Sequence, residues 1–102
     1  MFKLPDYEII VWILCNEFGK KLEKEILSSI DKMPYESMEY QGVLGIHWDF
    51  DSWDEAVASA KNLAKFIDNP NLIFLRVNKL TGENASVVYK DERHMKKPFQ
   101  PS

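Results

Sequence analysis

The stretch MEYQGVLGIHWDFDSWDE, residues 38–55, decides the fold. Apolar residues or glycine occupy every second position as far as residue 50, and this alternation is typical of a β-strand with one buried face. These positions are Met38, Tyr40, Gly42, Leu44, Ile46, Trp48 and Phe50. Ser52 and Glu55 then have the spacing of a capping box, in which the two side chains accept hydrogen bonds from backbone N–H groups at a helix start. The stretch therefore predicts a strand that leads directly into a helix.

The length of this strand raises the question of whether it contains a turn. Residues 38–50 exceed the usual length of a strand, and Gly42 and Gly45 are both candidate turn positions. A two-residue hairpin loop would place the apolar residues before and after it on opposite faces, yet the alternation never changes parity. Parity therefore favours one long strand, with or without a bulge, over the remaining alternative, a three-residue loop with Gly42 in the left-handed conformation.

The segments before this stretch predict a central strand and a helix. Residues 7–15, YEIIVWILC, are apolar on both faces, as in the middle of a sheet. Asn16 is a candidate N-cap for the helix that follows, which should end near residue 32 because Pro34 comes next. The apolar positions of this helix recur every three or four residues, at Phe18, Leu22, Ile26, Ile30 and Met33.

The segments after the stretch predict a second helix and two more strands. The helix runs from residue 53 to about residue 68, where Asn69 and Pro70 end it. Its apolar stripe consists of Trp53, Ala56, Val57, Ala60, Leu63, Ala64 and Ile67. Residues 72–77 and 85–90 have the composition of strands, and residues 81–84 have that of a turn.

Together these elements predict an α+β fold in a single domain that spans residues 1–102, with an irregular tail from about residue 94. We expect a two-layer sandwich, in which two helices pack on one face of a mixed sheet of four or five strands. The element order is β-α-β-α-β-β if the stretch is one strand. If it is a hairpin, the order is the ferredoxin-like β-α-β-β-α-β with an extra C-terminal strand. In both cases the second face of the central strands is apolar and needs a cover.

The charge is concentrated in one part of the chain. The net charge of −3 argues against a general nucleic-acid or membrane-surface binder, because either would present a basic face to phosphates. Residues 33–60 contain no lysine or arginine but six acidic residues, so this segment carries a formal charge of −6. The rest of the chain is therefore +3. We expect an acidic surface around the strand-to-helix corner.

Few residues are candidates for catalysis or metal binding. His47, Asp49 and Asp51 alternate on one strand face, about 7 Å apart, but a metal site there would need ligands from another element. No phosphate-binding loop, paired-cysteine zinc spacing or nucleophile elbow occurs in the sequence. His94 is interpreted as a surface histidine. We expect a protein that is not an enzyme and that uses no metal or cofactor.

Cysteine and tryptophan usage supports the interpretation of a cytoplasmic globular domain. Cys15 is the single cysteine, so it has no disulfide partner within the chain, and a buried hydrophobic role in a reducing cytosol is expected. The N-terminus has no signal-peptide pattern, and no apolar run is long enough to span a bilayer. Trp12, Trp48 and Trp53 are all predicted to pack in the core.

The acidic segment suggests a surface that binds a basic protein. Complementary charge speeds association and rejects partners of the wrong sign, and nucleases are basic because they attract phosphate. The predicted binding residues are Glu39, His47, Asp49, Asp51, Asp54 and Glu55.

A resemblance points in the same direction. The run WDFDSWDEA at residues 48–56, which leads into the second helix, and the run YKDER at residues 89–93, which closes the last strand, resemble the immunity proteins of bacterial toxin systems, including contact-dependent growth inhibition. The resemblance covers about half of the chain. It implies a non-enzymatic cytosolic protein that binds and neutralises one cognate toxin, often a nuclease. The alternative is a small regulatory or ligand-binding domain of ferredoxin-like type that forms a homodimer through the uncovered sheet face.

Overall fold

The computed structural model describes residues 6–80 and 85–91 as a five-stranded sheet with two helices. The elements are β1 (Tyr7–Leu14), α1 (Glu17–Ser29), β2 (Glu36–Tyr40), β3 (Val43–Phe50), α2 (Trp53–Leu63), a 3-10 turn (Ala64–Phe66), β4 (Leu72–Lys79) and β5 (Ala85–Asp91). The α+β sandwich is thus confirmed. The predicted turn at residues 81–84, His94 and the predicted irregular tail lie outside the described residues.

The sheet has the strand order β2-β3-β1-β4-β5, and all neighbours are antiparallel rather than mixed. The crossover through α1 makes β1 and β2 run in the same direction, but β3 lies between them, so no parallel pair is in contact. The element order is therefore the ferredoxin-like one, with β5 added at the edge of β4.

A two-residue turn separates β2 from β3, so the prediction of a single long strand was wrong. Gln41 and Gly42 have φ values of 50° and 80°, and positive φ at both central positions is the signature of a type I′ hairpin. The even-numbered apolar residues of β3 face the helices. The turn places Met38 and Tyr40, which are also even-numbered, on the opposite face of the sheet. The unbroken alternation was misleading because apolar side chains are not confined to the buried face of this sheet. Met38 and Tyr40 lie on the other face, where they are 57% and 70% exposed.

The core lies between the helices and one face of the sheet. Ile9, Val11 and Ile13 of β1 are fully buried there, as are Leu22 of α1 and Leu63 of α2. The remaining core residues lie in the same helices, directly after α1, and in the strands β3 and β4; they are Ile26, Ile30, Ile46, Trp48, Phe50, Ala56, Ala60, Leu72, Leu75 and Val77. The prediction that Trp48 is a core residue is confirmed, whereas the same prediction for Trp53 was wrong, because Trp53 at the start of α2 is 37% exposed.

The predicted stripe of α1 is confirmed at Leu22, Ile26 and Ile30, but its first position was wrong. Its N-cap is Asn16 as predicted, and the Asn16 side chain accepts a hydrogen bond from Gly19 N over 2.7 Å. Gly19 rather than Phe18 faces the sheet, and the approach is so close that a Cβ at Gly19 would overlap the Leu14 carbonyl oxygen. Close backbone approach in the first turn therefore leaves Phe18 68% exposed, contrary to the prediction.

Both helices are shorter than predicted. α1 ends at Ser29, because Ile30 is already extended, and this leaves Met33 exposed. α2 ends at Leu63 and continues only as the 3-10 turn, so Ile67 is also more exposed than predicted. The two helix ends are joined by a hydrogen bond from Asn62 Nδ2 to the Ser29 carbonyl oxygen, 2.6 Å long.

We expect Gly42→Ala to lower the free energy of unfolding by about 1–2 kcal/mol, because alanine is disfavoured in the left-handed conformation. No atom lies within 4 Å of the position that the new Cβ would take, so the loss is conformational rather than steric. Gly45→Ala is the control, because a Cβ there would make an ordinary contact with Trp12. Urea denaturation compares the two, and equal losses would contradict the turn assignment.

The helical stripes make a second prediction. Leu22→Ala and Leu63→Ala should each destabilise the fold by about 2–5 kcal/mol, because both remove fully buried methyl groups. Phe18→Ala removes a larger but exposed side chain and should cost less than about 0.5 kcal/mol. Thermal or chemical denaturation measures all three. A loss at Phe18 as large as that at Leu22 would show that α1 is rotated from the described orientation.

Candidate protein-binding surface

The sheet face that points away from the helices is called the open face here. Strand register and the alternation of side chains assign its members. They are Glu8, Ile10, Trp12 and Leu14 of β1, Glu36, Met38 and Tyr40 of β2, Val43, Gly45, His47 and Asp49 of β3, Phe74, Arg76 and Asn78 of β4, and Ser86, Val88 and Asp91 of β5. Charge and apolar character are separated along the strands of this face.

One end of the open face is acidic. Glu8 lies opposite Asp49 on the neighbouring strand, and Glu36 lies opposite His47. The His47 imidazole Nδ1 is 3.5 Å from Glu8 Oε2, and Asn78 Nδ2 donates a hydrogen bond of 3.4 Å to Glu8 Oε1. Of the three carboxylates at this end, only that of Glu8 contacts the imidazole, and those of Glu36 and Asp49 form no described ion pair.

The middle of the open face is aromatic. The rings of Trp12 and Phe74 stack with centroids 4.4 Å apart, and the Arg76 guanidinium lies 4.7 Å from the Phe74 ring. The Trp12 ring lies over Gly45, where a Cβ would make an ordinary contact with it at 3.5 Å. Arg76 also forms an ion pair with Asp91 over 3.7 Å. Trp12 is thus half-buried on the open face, and its predicted place in the helix-covered core was wrong.

The corner between β3 and α2 continues the acidic end. Asp51, Asp54 and Glu55 are exposed there, two to six residues after Asp49. Ser52 is the N-cap as predicted, because its Oγ accepts a hydrogen bond of 3.3 Å from Glu55 N. Negative charge in the first turn of α2 is favourable, because it interacts with the positive end of the helix dipole. We call Asp49, Asp51, Asp54 and Glu55 the acidic corner.

No described lysine or arginine forms an ion pair with the acidic corner. Lys32 lies close in space to the same strand, with its Nζ 4.8 Å from the centre of the Phe50 ring. Phe50, however, faces the helices rather than the open face. Within the acidic corner, Asp51, Asp54 and Glu55 are therefore exposed carboxylates without a described counter-ion, and Asp49 is half-buried.

The structure brings together five of the six predicted binding residues. His47 and Asp49 lie on the open face, and Asp51, Asp54 and Glu55 follow at the corner. Glu39 does not belong with them, because the turn at Gln41 and Gly42 places it opposite Leu44, on the helix side of the sheet. Leu44 and Phe50 are separated by about 20 Å along β3, so Glu39 is also at the far end of the strand.

Glu39 instead acts on Cys15. The Glu39 carboxylate, together with desolvation of the thiol, raises the pKa of Cys15 above its ordinary value. Cys15 is half-buried rather than buried. The pair lies at the hairpin end of the sheet, where Cys15 N donates to the Gly42 carbonyl oxygen over 2.8 Å.

Sequence reasoning missed several members of the surface. Glu8 is the one charged residue inside an otherwise apolar strand, and this was a signal that β1 has a solvent-accessible face at that end. Glu36 was counted in the acidic segment, but its position opposite His47 depends on the hairpin register. The exposure of Met38 and Tyr40 beside the aromatic stack depends on the same register.

Within residues 6–80 and 85–91, no group of three or more His, Cys, Asp or Glu side chains has an arrangement that could hold a metal ion. In the same part of the chain no helix is long and apolar enough to cross a membrane. Comparison with protein-family models, curated proteins and solved structures found no match to this chain. A functional assignment therefore depends on the geometry and charge of this surface.

The effect of Glu39 on the pKa of Cys15 leads to a prediction about thiol reactivity. Glu39→Gln removes the negative charge that stabilises the protonated thiol, so the pKa of Cys15 should fall and iodoacetamide should alkylate it faster at pH 8. The midpoint of the rate-against-pH curve should move to lower pH. Glu23→Gln is the matched control, since Glu23 has the smallest of these effects on the pKa of Cys15. Equal curves for both variants would contradict the assigned effect of Glu39 on the thiol.

Proposed function

We propose that this protein is a non-enzymatic immunity protein, which binds a cognate basic toxin in the cytoplasm and neutralises it through the acidic corner together with His47. A nuclease is the toxin activity that fits best, because its active site must attract phosphate. The observation that carries the proposal is that exposed carboxylates continue from the open face around the corner into α2 without a described basic partner. The resemblance of residues 48–56 to immunity proteins supports the same assignment.

The charge distribution suits inhibition of a basic protein. Four carboxylates that cluster at one corner attract a basic surface over distances up to the Debye length, about 8 Å at physiological salt. Such steering raises the association rate constant, and the same field repels nucleic acid. A protein that acts by occupying the phosphate-binding site of a nuclease needs both properties.

The arrangement of the corner also suits a defined docking geometry. Asp54 and Glu55 are held in the first turn of a helix whose N-cap hydrogen bond is formed, and Asp49 belongs to a strand paired with β1. Carboxylates on regular elements lose little conformational freedom on binding, so more of their interaction energy contributes to affinity. Asp51 lies in the bend between these elements.

Charge reversal at the corner tests the proposal. Asp49→Lys and Asp51→Lys should each weaken binding to the toxin domain encoded by the neighbouring gene by about tenfold or more, and should reduce protection of cells that co-express it. Glu25→Lys is the control, because Glu25 is exposed on α1, away from the corner, and the change in net charge is identical. The association rate of the wild type should fall as salt is raised.

Two outcomes would contradict the proposal. One is the absence of any toxin gene beside that of this protein. The other is protection by the Asp49 and Asp51 variants that equals protection by wild type and by the Glu25 variant. Circular dichroism and thermal denaturation of each variant show whether a loss of protection reflects binding or folding.

One observation favours the second candidate, a homodimeric regulatory domain of ferredoxin-like type. Met38, Tyr40 and Val88 expose apolar surface on the open face, and apolar sheet faces are common dimer interfaces. Sedimentation equilibrium distinguishes the two candidates, because a dimer that Tyr40→Ser dissociates would support self-association.

A further inference from the structure

We infer that the partner covers the open face as well as the acidic corner, placing an apolar side chain against Trp12, Met38 and Tyr40 while its basic groups meet Glu8, Glu36 and Asp49. This inference rests on the proposed function. It adds to the charged binding surface an apolar region that supplies most of the affinity. The occupant is thus a basic protein surface that carries an apolar projection.

The apolar half has the composition of an interface hot spot. Tyr40 is 70% exposed and Met38 57% exposed, and both lie on the edge strand β2, where only Gly45 of β3 separates Met38 from the half-buried Trp12 of β1. Large aromatic and methionine side chains that stand together on a surface are enriched at the centres of protein interfaces, where they supply most of the affinity. Charge alone would give fast association but little residence time.

The platform beneath these side chains is already ordered. Phe74 is buried between Trp12 and the Arg76 guanidinium, and Asp91 holds Arg76 from the next strand. A partner side chain that packs on Trp12 therefore meets a ring whose orientation is fixed before binding. Preorganisation of this kind reduces the entropy lost on association.

Charge on the open face argues for a basic partner rather than a second copy of this chain. The face carries the carboxylates of Glu8, Glu36 and Asp49, whereas Arg76, which is paired with Asp91, is its only lysine or arginine among the described residues. Two copies packed face to face would place these carboxylates against each other or against the apolar end of the other copy. Both arrangements bury negative charge without a counter-ion and are unfavourable.

The size of the surface supports a partner that spans both regions. Five strands at about 4.8 Å spacing and eight residues at about 3.3 Å give an open face of about 19 Å by 26 Å, or about 500 Å². A stable interface of standard size buries about 800 Å² per partner. The acidic corner, which continues from Asp49 at the border of the open face, adds adjoining surface to this footprint, so one partner of ordinary interface size can contact both regions.

Tryptophan quenching tests the inference without a change on the open face. In a Trp53→Phe variant the remaining tryptophans are Trp12, half-buried on the open face, and Trp48, fully buried in the core. Acrylamide then quenches mainly Trp12. Saturation with the inactivated toxin domain encoded by the neighbouring gene should lower the quenching constant about twofold or more, because the partner covers the ring. An unchanged constant at saturation overturns the inference.

Side-chain truncation supplies the matched affinity measurement. Tyr40→Ser and Met38→Ser should each increase the dissociation constant about tenfold, mainly through faster dissociation. Phe18→Ser removes an aromatic ring of equal exposure from α1, on the other side of the sheet, and should change the dissociation constant by less than about twofold.

The outcomes separate the inference from the proposed function. If the Asp51→Lys variant loses affinity while Tyr40→Ser and Met38→Ser bind like wild type, the proposed function stands and the inference is overturned. If the toxin domain does not bind the wild type, both are overturned. A wild-type dimer in sedimentation equilibrium that Tyr40→Ser dissociates would assign the open face to a second copy and overturn the inference.

Discussion

The two-residue turn at Gln41 and Gly42 is the constraint on which the surface depends. Because the turn fixes the register of β2 on β3, it decides which β2 residues face the helices and which face away. It places Glu36 opposite His47 and exposes Met38 and Tyr40, while it directs Glu39 to the other side of the sheet. A register shift of one residue would reverse all of these assignments at once.

The acidic end of the open face is electrostatically costly for the folded protein. Glu8 and Asp49 are directly opposite each other on neighbouring strands, an arrangement that destabilises a sheet when both side chains are charged. His47 and Asn78 offset part of the cost through their contacts with Glu8. The cost that remains is easiest to understand if a bound partner supplies positive charge there, since stability alone would favour a basic or neutral residue.

The central strand β1 shows how an apolar face can exist without a second layer of helices. Ile9, Val11 and Ile13 pack against the helices, whereas Trp12 packs within the plane of the open face, over Gly45 and against Phe74. The Arg76 guanidinium lies over the Phe74 ring, so the ring is covered while the guanidinium stays at the surface. The sheet thereby covers part of its own second face and leaves the apolar border formed by β2 open to a partner.

The sequence by itself determined the elements of the α+β sandwich and most of the helical core, because both follow from local periodicity. It also determined the N-caps at Asn16 and Ser52, which depend on local hydrogen bonds, and the clustering of acidic residues at the β3–α2 corner, which is a matter of local composition. Tertiary structure decided which face each strand residue occupies. Alternation within a strand is a local property, but the left-handed turn at Gln41 and Gly42 can reverse it without any signal in the apolar pattern. For the same reason the sequence pattern grouped Glu39 with His47 and Asp49. Only strand pairing showed that Glu8 and Glu36, rather than Glu39, are the neighbours of His47 and Asp49.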